Sequence, residues 1–299
     1  MTATIDAPVT GPAPIVVPPQ QRVRLRRFLR NRLAVVGALF LVVVVLMALF
    51  PGAFAPSGPA KQDLVHTFSR PGADHLLGQD NFGRDQMSRV IYGARTSVFA
   101  ALEGTIIALL LGVPFGMVGA YVGGRLQFLL DRVNEMLMSV PALLLAIVIV
   151  GALGPSLSNA MIAIGLALSP RFYRMASAAT QDVSGETFLE ASRAIGCSRT
   201  RILLRHVLPN ILNSIIVQAS LTVGSVILAE ASLSFLGFGV QPPTPSWGGM
   251  LHDASNSLYD GSFLVYGPGL MIVLTVLACQ LASDGLRDAL GDTSAGGQR

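Results

Sequence analysis

The sequence predicts an all-α membrane protein with six transmembrane helices, and three observations carry that prediction. Hydrophobic residues make up 52% of the 299 residues and charged residues only 13%, roughly half the charge share of a soluble domain. Apolar runs of bilayer-crossing length recur along the chain instead of gathering into one water-facing core. Arginine and lysine are spread unevenly over the segments that join those runs, as expected when one side of a membrane retains positive charge.

Residues 1–21, rich in Pro, Ala and Thr, read as a disordered cytoplasmic tail. Arg22, Arg24, Arg26, Arg27, Arg30 and Arg32 follow and stop where the first span begins, which puts the N-terminus in the cytoplasm. From Leu33 to Phe50 run eighteen apolar or glycine residues, about 27 Å of helix against a hydrocarbon core of about 30 Å. Ala53-Phe54-Ala55 resembles a signal-peptide cleavage pattern, but the run exceeds the usual 7–15-residue signal core, so a retained helix is expected.

The spans are expected at about 33–51, 97–122, 130–152, 158–178, 210–236 and 267–285. Segments 52–95, 153–157 and 237–266 then lie outside, while 123–129, 179–209 and the C-terminal tail lie in the cytoplasm. Of 21 basic residues, five (Lys61, Arg70, Arg84, Arg89, Arg95) fall outside and sixteen fall inside or at cytoplasmic helix ends, which favours this orientation. The chain divides into the tail, a first helix with its external segment (22–96), a five-helix core (97–290) containing a cytoplasmic loop (179–209), and a flexible end (291–299). Gly104, Gly112, Gly116 and Gly119 in the second span point to close helix packing rather than a ligand site. Ser169-Pro170 is expected to kink or end the fourth span, letting Arg171 and Arg174 reach the cytoplasmic interface.

Several function classes are absent from the pattern. The single lysine, Lys61, is followed by Gln62, so no phosphate-binding loop exists for a nucleotide. There is no catalytic constellation, and an enzyme is not expected. Cys197 and Cys279 sit in a polar loop and an apolar run, with neither disulfide nor metal expected, and His66, His75, His206 and His252 share no ligand spacing. A predicted pI near 9.5 reflects membrane-flanking arginines, not a basic stripe interleaved with aromatics, which excludes nucleic acid.

The loop from Glu186 to Asn210 reads as helix, turn, helix. Thr187 with Glu190 fits a capping box, Gly196 suits a left-handed helix end, Ser198 can cap a second helix and Pro209 breaks it before the fifth span. Within it, Glu190-Ala191-Ser192, three residues, Gly196, nine residues, then His206-Val207-Leu208-Pro209 resembles the EAA motif of ABC importer permeases. Ser192 stands for the second alanine and His206 for an isoleucine. The resemblance implies that residues 187–196 dock into an ATPase subunit, with Glu190, Ala191, Ser192, Gly196, Leu208 and Pro209 as the coupling residues.

Two external segments, His75 to Ser97 and residues 233–250 with Leu236-Gly237-Phe238-Gly239 and Ser246-Trp247-Gly248, resemble the dipeptide and oligopeptide permeases of the C type. The likeness covers about residues 22–290. It implies the ABC type I importer permease fold, a bacterial cytoplasmic (inner) membrane location with both termini cytoplasmic, and contact with lipid. It also implies a B-type permease as heterodimer partner, ABC ATPase subunits that bind the ATP and Mg, and an extracytoplasmic solute-binding protein. Cargo in that family ranges over dipeptides, oligopeptides, glutathione, nickel chelates and haem.

Inside the spans, Glu103 is expected either to face a cavity or to bond a neighbouring helix, and Asn213 and Gln218 either to contact cargo or to bridge helices. Asp131, Glu135 and Glu230 are read as interfacial or helix-bonded, and Trp247 as an interfacial anchor. An ion-coupled secondary transporter is the main alternative, with a structural or assembly protein as the second.

Overall fold

The computed structural model describes residues 26–290. The two expected tails, and Arg22 and Arg24 of the basic run, lie outside the described residues. Helix α1 (Arg32–Leu49) starts at Asn31, whose side chain accepts from the Ala34 N–H at 3.2 Å. It exposes Leu33, Val36, Leu39, Val42, Val43 and Leu46, an outer surface suited to lipid and nothing else. Its buried side, Ala34, Gly37, Val44 and Ala48, lies against the last helix, where a Cβ on Gly37 would come within 2.9 Å of the Ala278 carbonyl oxygen.

Helix α2 (Gln86–Val122) has 37 residues, about 55 Å at 1.5 Å per residue. It begins eleven residues before the expected position 97 because Asp85 caps it, accepting from the Ser88 N–H at 2.7 Å, and because an external cap buries its first turns. In that cap the Asp80 carboxylate takes the Arg84 guanidinium at 2.6 Å and Arg89 at 3.5 Å, while Asp253 lies 3.9 and 3.6 Å from the same two arginines. Asp80, Arg84 and Arg89 are all buried. Removing one member of such a set strands the others, at about 3–5 kcal/mol. Asp80→Ala is therefore expected to lower the thermal midpoint of the purified protein sharply, whereas Asp63→Ala, at an exposed site paired only with His66, is expected to leave it near wild type.

Trp247 belongs to this cap and not to a membrane interface. It is wholly buried, and its indole N–H donates to the Val90 carbonyl at 2.9 Å, fastening the helix Trp247–Asn256 to α2. The indole edge sits where a Cβ on Gly93 would meet it at 3.1 Å, so the packing took the ring that an interfacial reading leaves outside.

The expected third span is two helices, α3 (Gly124–Ser139) and α4 (Ala142–Leu153), bent by 90°. The cause is Pro141: the residue before it, Val140, is extended (φ −101°, ψ 131°), as a following proline ring demands. α3 is amphipathic, with Asp131, Arg132 and Glu135 among its residues. α4 is apolar but only about 18 Å long.

Helix α5 (Leu157–Ser184) continues through Pro170 and does not end there. Pro170 cannot donate to the Leu166 carbonyl, but the Ser169 hydroxyl does so at 2.8 Å, which repairs the gap in the ladder. Arg171 and Arg174 consequently lie near the middle of a 28-residue helix and not at its cytoplasmic end.

Helices α6 (Thr187–Ala194) and α7 (Arg199–Ile202) form the loop expected to be cytoplasmic, α8 is Leu208–Phe235, α9 is Trp247–Asn256 and α10 is Tyr266–Leu290. Among the described residues, four helices are long and apolar enough to cross a membrane, or five if the bent α3–α4 pair is one span. α5 has the length but is more polar, owing to Arg171 and Arg174. The six expected segments thus correspond to α1, α2, α3–α4, α5, α8 and α10. α2 is the centre of the bundle and packs most extensively on α5, where Gly104, Gly112 and Gly116 bring the helices close, as their sequence positions suggested.

Candidate functional site

The loop between α5 and α8 is built from two short helices joined at a glycine. The N-cap of α6 is Glu186, not Thr187, and it makes no side-chain cap hydrogen bond. The expected capping box does not form, because Thr187 already lies inside the helix, and Glu190 is left exposed. At the other end Gly196 takes φ +80°, its N–H bonds the Arg193 carbonyl at 3.0 Å and the Cys197 N–H bonds the Ser192 carbonyl at 3.1 Å. This is a Schellman termination, which needs the left-handed conformation at Gly196. Gly196→Ala is expected to cost about 1–2 kcal/mol locally and to increase amide exchange over residues 192–197 while sparing the transmembrane helices.

Ser198 caps α7 as expected, its hydroxyl accepting from the Arg201 N–H at 3.4 Å. Pro209, however, does not break the chain. Residues 203–207 widen into a π turn in which the Leu208 N–H reaches the Leu203 carbonyl, and Pro209 falls in the first turn of α8. The wider turn relieves the clash between a proline ring and the preceding turn, so Arg199–Phe235 is one continuous helical rod.

α6 has two faces. Leu189 is fully buried and Ser192 nearly so, the Ser192 hydroxyl bonding the Phe188 carbonyl at 2.8 Å. Thr187, Glu190, Ala191, Ala194 and Ile195 form the opposite, exposed stripe, at the i, i+3, i+4, i+7, i+8 spacing of one helical face. Arg193 stacks 5.1 Å above the Tyr121 ring and its Nε donates to the Tyr121 hydroxyl at 3.4 Å. The Phe188 ring lies 6.4 Å from that of His206. α6 is thereby tied at once to the cytoplasmic end of α2 and to the rod that becomes α8. The six motif residues are not one cluster: Glu190 and Ala191 face outward, Ser192 inward, Gly196 ends the helix, and Leu208 and Pro209 start α8. Leu189, Arg193 and Tyr121 were not singled out from sequence, although the position of Leu189 opposite Glu190 and Ala191 on the helical wheel marks it as an anchor.

Within the bundle, Glu103 and Asn213 are half-buried and make no hydrogen bond or ion pair among the described residues. Gln218, also half-buried, donates to the Thr222 hydroxyl at 3.3 Å. None of the three bonds to another. Glu230 is completely enclosed and takes the hydroxyls of Ser234 at 2.7 Å and Ser97 at 3.3 Å, with Ser246 as a third partner, a helix-bonded state as expected. Asp131 accepts from the Tyr173 hydroxyl at 2.6 Å, and Glu135 pairs with Arg132. A polar cleft of about 350 Å³ between α3 and α5 is lined by Gln127, Asp131, Asn134, Glu135, Arg174 and Gln181, among others.

Comparison with known proteins agrees with this architecture. The family model described as binding-protein-dependent transport system inner membrane component matches residues 112–293, and that described as N-terminal TM domain of oligopeptide transport permease C matches residues 20–71. The chain is similar to the dipeptide transport system permease protein DppC of Alkalihalophilus pseudofirmus (37% identical, covering 95% of this chain and 96% of that one). It is also similar to the di/tripeptide transport system permease protein DppC of Pseudomonas aeruginosa (39%, covering 97% of each) and to the glutathione transport system permease protein GsiD of Escherichia coli O157:H7 (38%, covering 94% and 95%). A solved structure of inward-facing conformations of the MetNI methionine ABC transporter shares the fold, with a TM-score of 0.56 at 18% identity over 68% of this chain and 97% of that chain. A secondary-transporter reading is set aside by these matches. The chain belongs to the family of binding-protein-dependent transport system inner membrane components, and is a multi-pass inner-membrane permease of an ABC importer.

Proposed function

We propose that this permease forms half of the translocation pore of an ATP-driven importer of short peptides and is driven through the outward face of α6. The observation that carries the coupling role is the two-sided construction of α6. An exposed stripe centred on Glu190 and Ala191 backs onto the buried Leu189 and touches α2 through Arg193 on Tyr121 and, through Phe188 beside His206, the rod leading into α8. A push on that stripe moves two spanning helices without an intervening flexible joint. The peptide assignment is supported by the printed cargoes of the relatives, which are dipeptides, di/tripeptides and glutathione.

In this reading the chain itself is not an enzyme. It carries one lysine and no phosphate-binding loop, so ATP and its magnesium belong to partner ATPase subunits. A B-type permease completes the pore, an extracytoplasmic solute-binding protein delivers cargo, and both termini lie in the cytoplasm. Affinity purification of the tagged chain in mild detergent, followed by mass spectrometry, tests the assembly. Recovery of a second permease with ATPase subunits is the expected result. Repeated recovery of this chain alone would overturn the reading.

A further inference from the structure

We infer that Arg171, assisted by Ser225, forms an anion-recognition point part-way along the pore that takes the terminal carboxylate of the passing peptide; this rests on the peptide-import reading above. The first support is depth. Arg171 stands fourteen residues from the start of α5 and thirteen from its end, about 20 Å from either terminus at 1.5 Å per residue. Because Ser169 repairs the ladder at Pro170, the helix continues past Arg171 and keeps the guanidinium away from either end of α5.

The second support is the face. Arg171, Arg174, Ala178 and Gln181 form one exposed stripe of α5, while Phe172, Ala176 and Thr180 on its other side are buried. On α8, Ser214, Gln218, Leu221 and Ser225 form a matching exposed or half-buried stripe. The two stripes meet where an Arg171 Nη donates to the Ser225 hydroxyl at 3.4 Å. Beyond Arg32 at its start, α1 presents apolar side chains outward, whereas this face presents two guanidiniums, two amides and two hydroxyls. Such groups in hydrocarbon are costly and belong on an aqueous path or a protein contact.

The third support is the lack of an answering charge. Neither Arg171 nor Arg174 has a carboxylate within 4 Å among the described residues, since Asp131 is held by Tyr173 and Glu135 by Arg132. Arg171 therefore retains donors, in the planar fork that suits a carboxylate. The one anionic group common to ordinary peptides of any sequence is the α-carboxylate, which pairs with such a fork more strongly than a neutral carbonyl does.

The test uses the complete transporter in proteoliposomes, with peptide-loaded binding protein at saturating cargo, and compares uptake of one peptide with a free C-terminus against the same peptide amidated. A charge-assisted hydrogen bond predicts a free-to-amidated uptake ratio of about tenfold for wild type, collapsing toward one in Arg171→Gln and kept above threefold in Arg171→Lys. If both peptides slow equally in Arg171→Gln, with the ratio unmoved, Arg171 serves packing or a partner subunit's acid and the inference is overturned. Equal wild-type uptake of the two peptides overturns it as well. Wild-type complex that hydrolyses ATP in response to its binding protein yet carries neither peptide overturns the peptide reading itself, and this assignment with it.

Discussion

Glu190→Arg is expected to abolish uptake while leaving insertion and heat stability of the permease close to wild type. Glu190 is exposed and makes no bond within the described chain, so its replacement removes nothing that holds the fold. It occupies the middle of the outward stripe of α6, the surface proposed above to receive the ATPase subunit. Reversing a charge inside such a contact costs about 3 kcal/mol or more, ~100-fold in affinity. The measurement is twofold: ATPase subunits retained on the tagged complex, and uptake in proteoliposomes. Glu190→Gln should lie between wild type and the reversal. Uptake by Glu190→Arg at the wild-type rate would remove α6 from the coupling path.

Most of the bundle was legible because membrane helices announce themselves by length and apolar content, and the boundaries of α1, α8 and α10 fall within a few residues of the sequence reading. What escaped it were places where one residue decides between two backbones. Two prolines at similar positions in apolar runs act oppositely. Pro141 turns the chain by 90°, because its preceding residue must be extended and nothing rescues the helix. Pro170 leaves α5 intact, because Ser169 supplies the missing donor. Pro209 is absorbed by a π turn. The distinction lies in hydrogen bonds that a hydropathy pattern does not contain. It also decides where Arg171 stands, since the continuity of α5 keeps that residue near the middle of a helix.

The coupling loop was legible as a motif but not as a mechanism. Spacing located Glu190, Ala191, Ser192, Gly196, Leu208 and Pro209, and the Gly196 and Ser198 terminations are visible in local sequence. The Tyr121–Arg193 contact joins residues 72 apart, and no local pattern foretells it. Trp247 failed for the same reason: a tryptophan in an external loop satisfies the interfacial preference until the Val90 carbonyl is placed beside its N–H.

Gly112→Val is expected to prevent assembly of the core. A Cβ at this position would fall inside contact distance of the Phe172 Cβ and 2.5 Å from the Ser169 carbonyl oxygen. These are backbone or backbone-proximal atoms, so no side-chain rotation makes room, and α2 and α5 must separate. Overpacking that flexible side chains absorb costs about 1–3 kcal/mol; here the displaced partner is a helix, and a loss at or above the top of that range is expected. The consequence extends beyond stability, because α2 carries Tyr121 at its cytoplasmic end and α5 carries Arg171. Separating them parts the α6 contact at Tyr121 from the exposed arginine stripe of α5. Gly151→Ala, in α4 with no atom within 4 Å of the added Cβ, should stay within about 1 kcal/mol of wild type. Thermal midpoints in detergent and the yield of assembled complex decide it: equal values for the two variants would mean that α2 and α5 do not approach as closely as their glycines indicate, and that the route from α6 to the pore runs through another pair of helices.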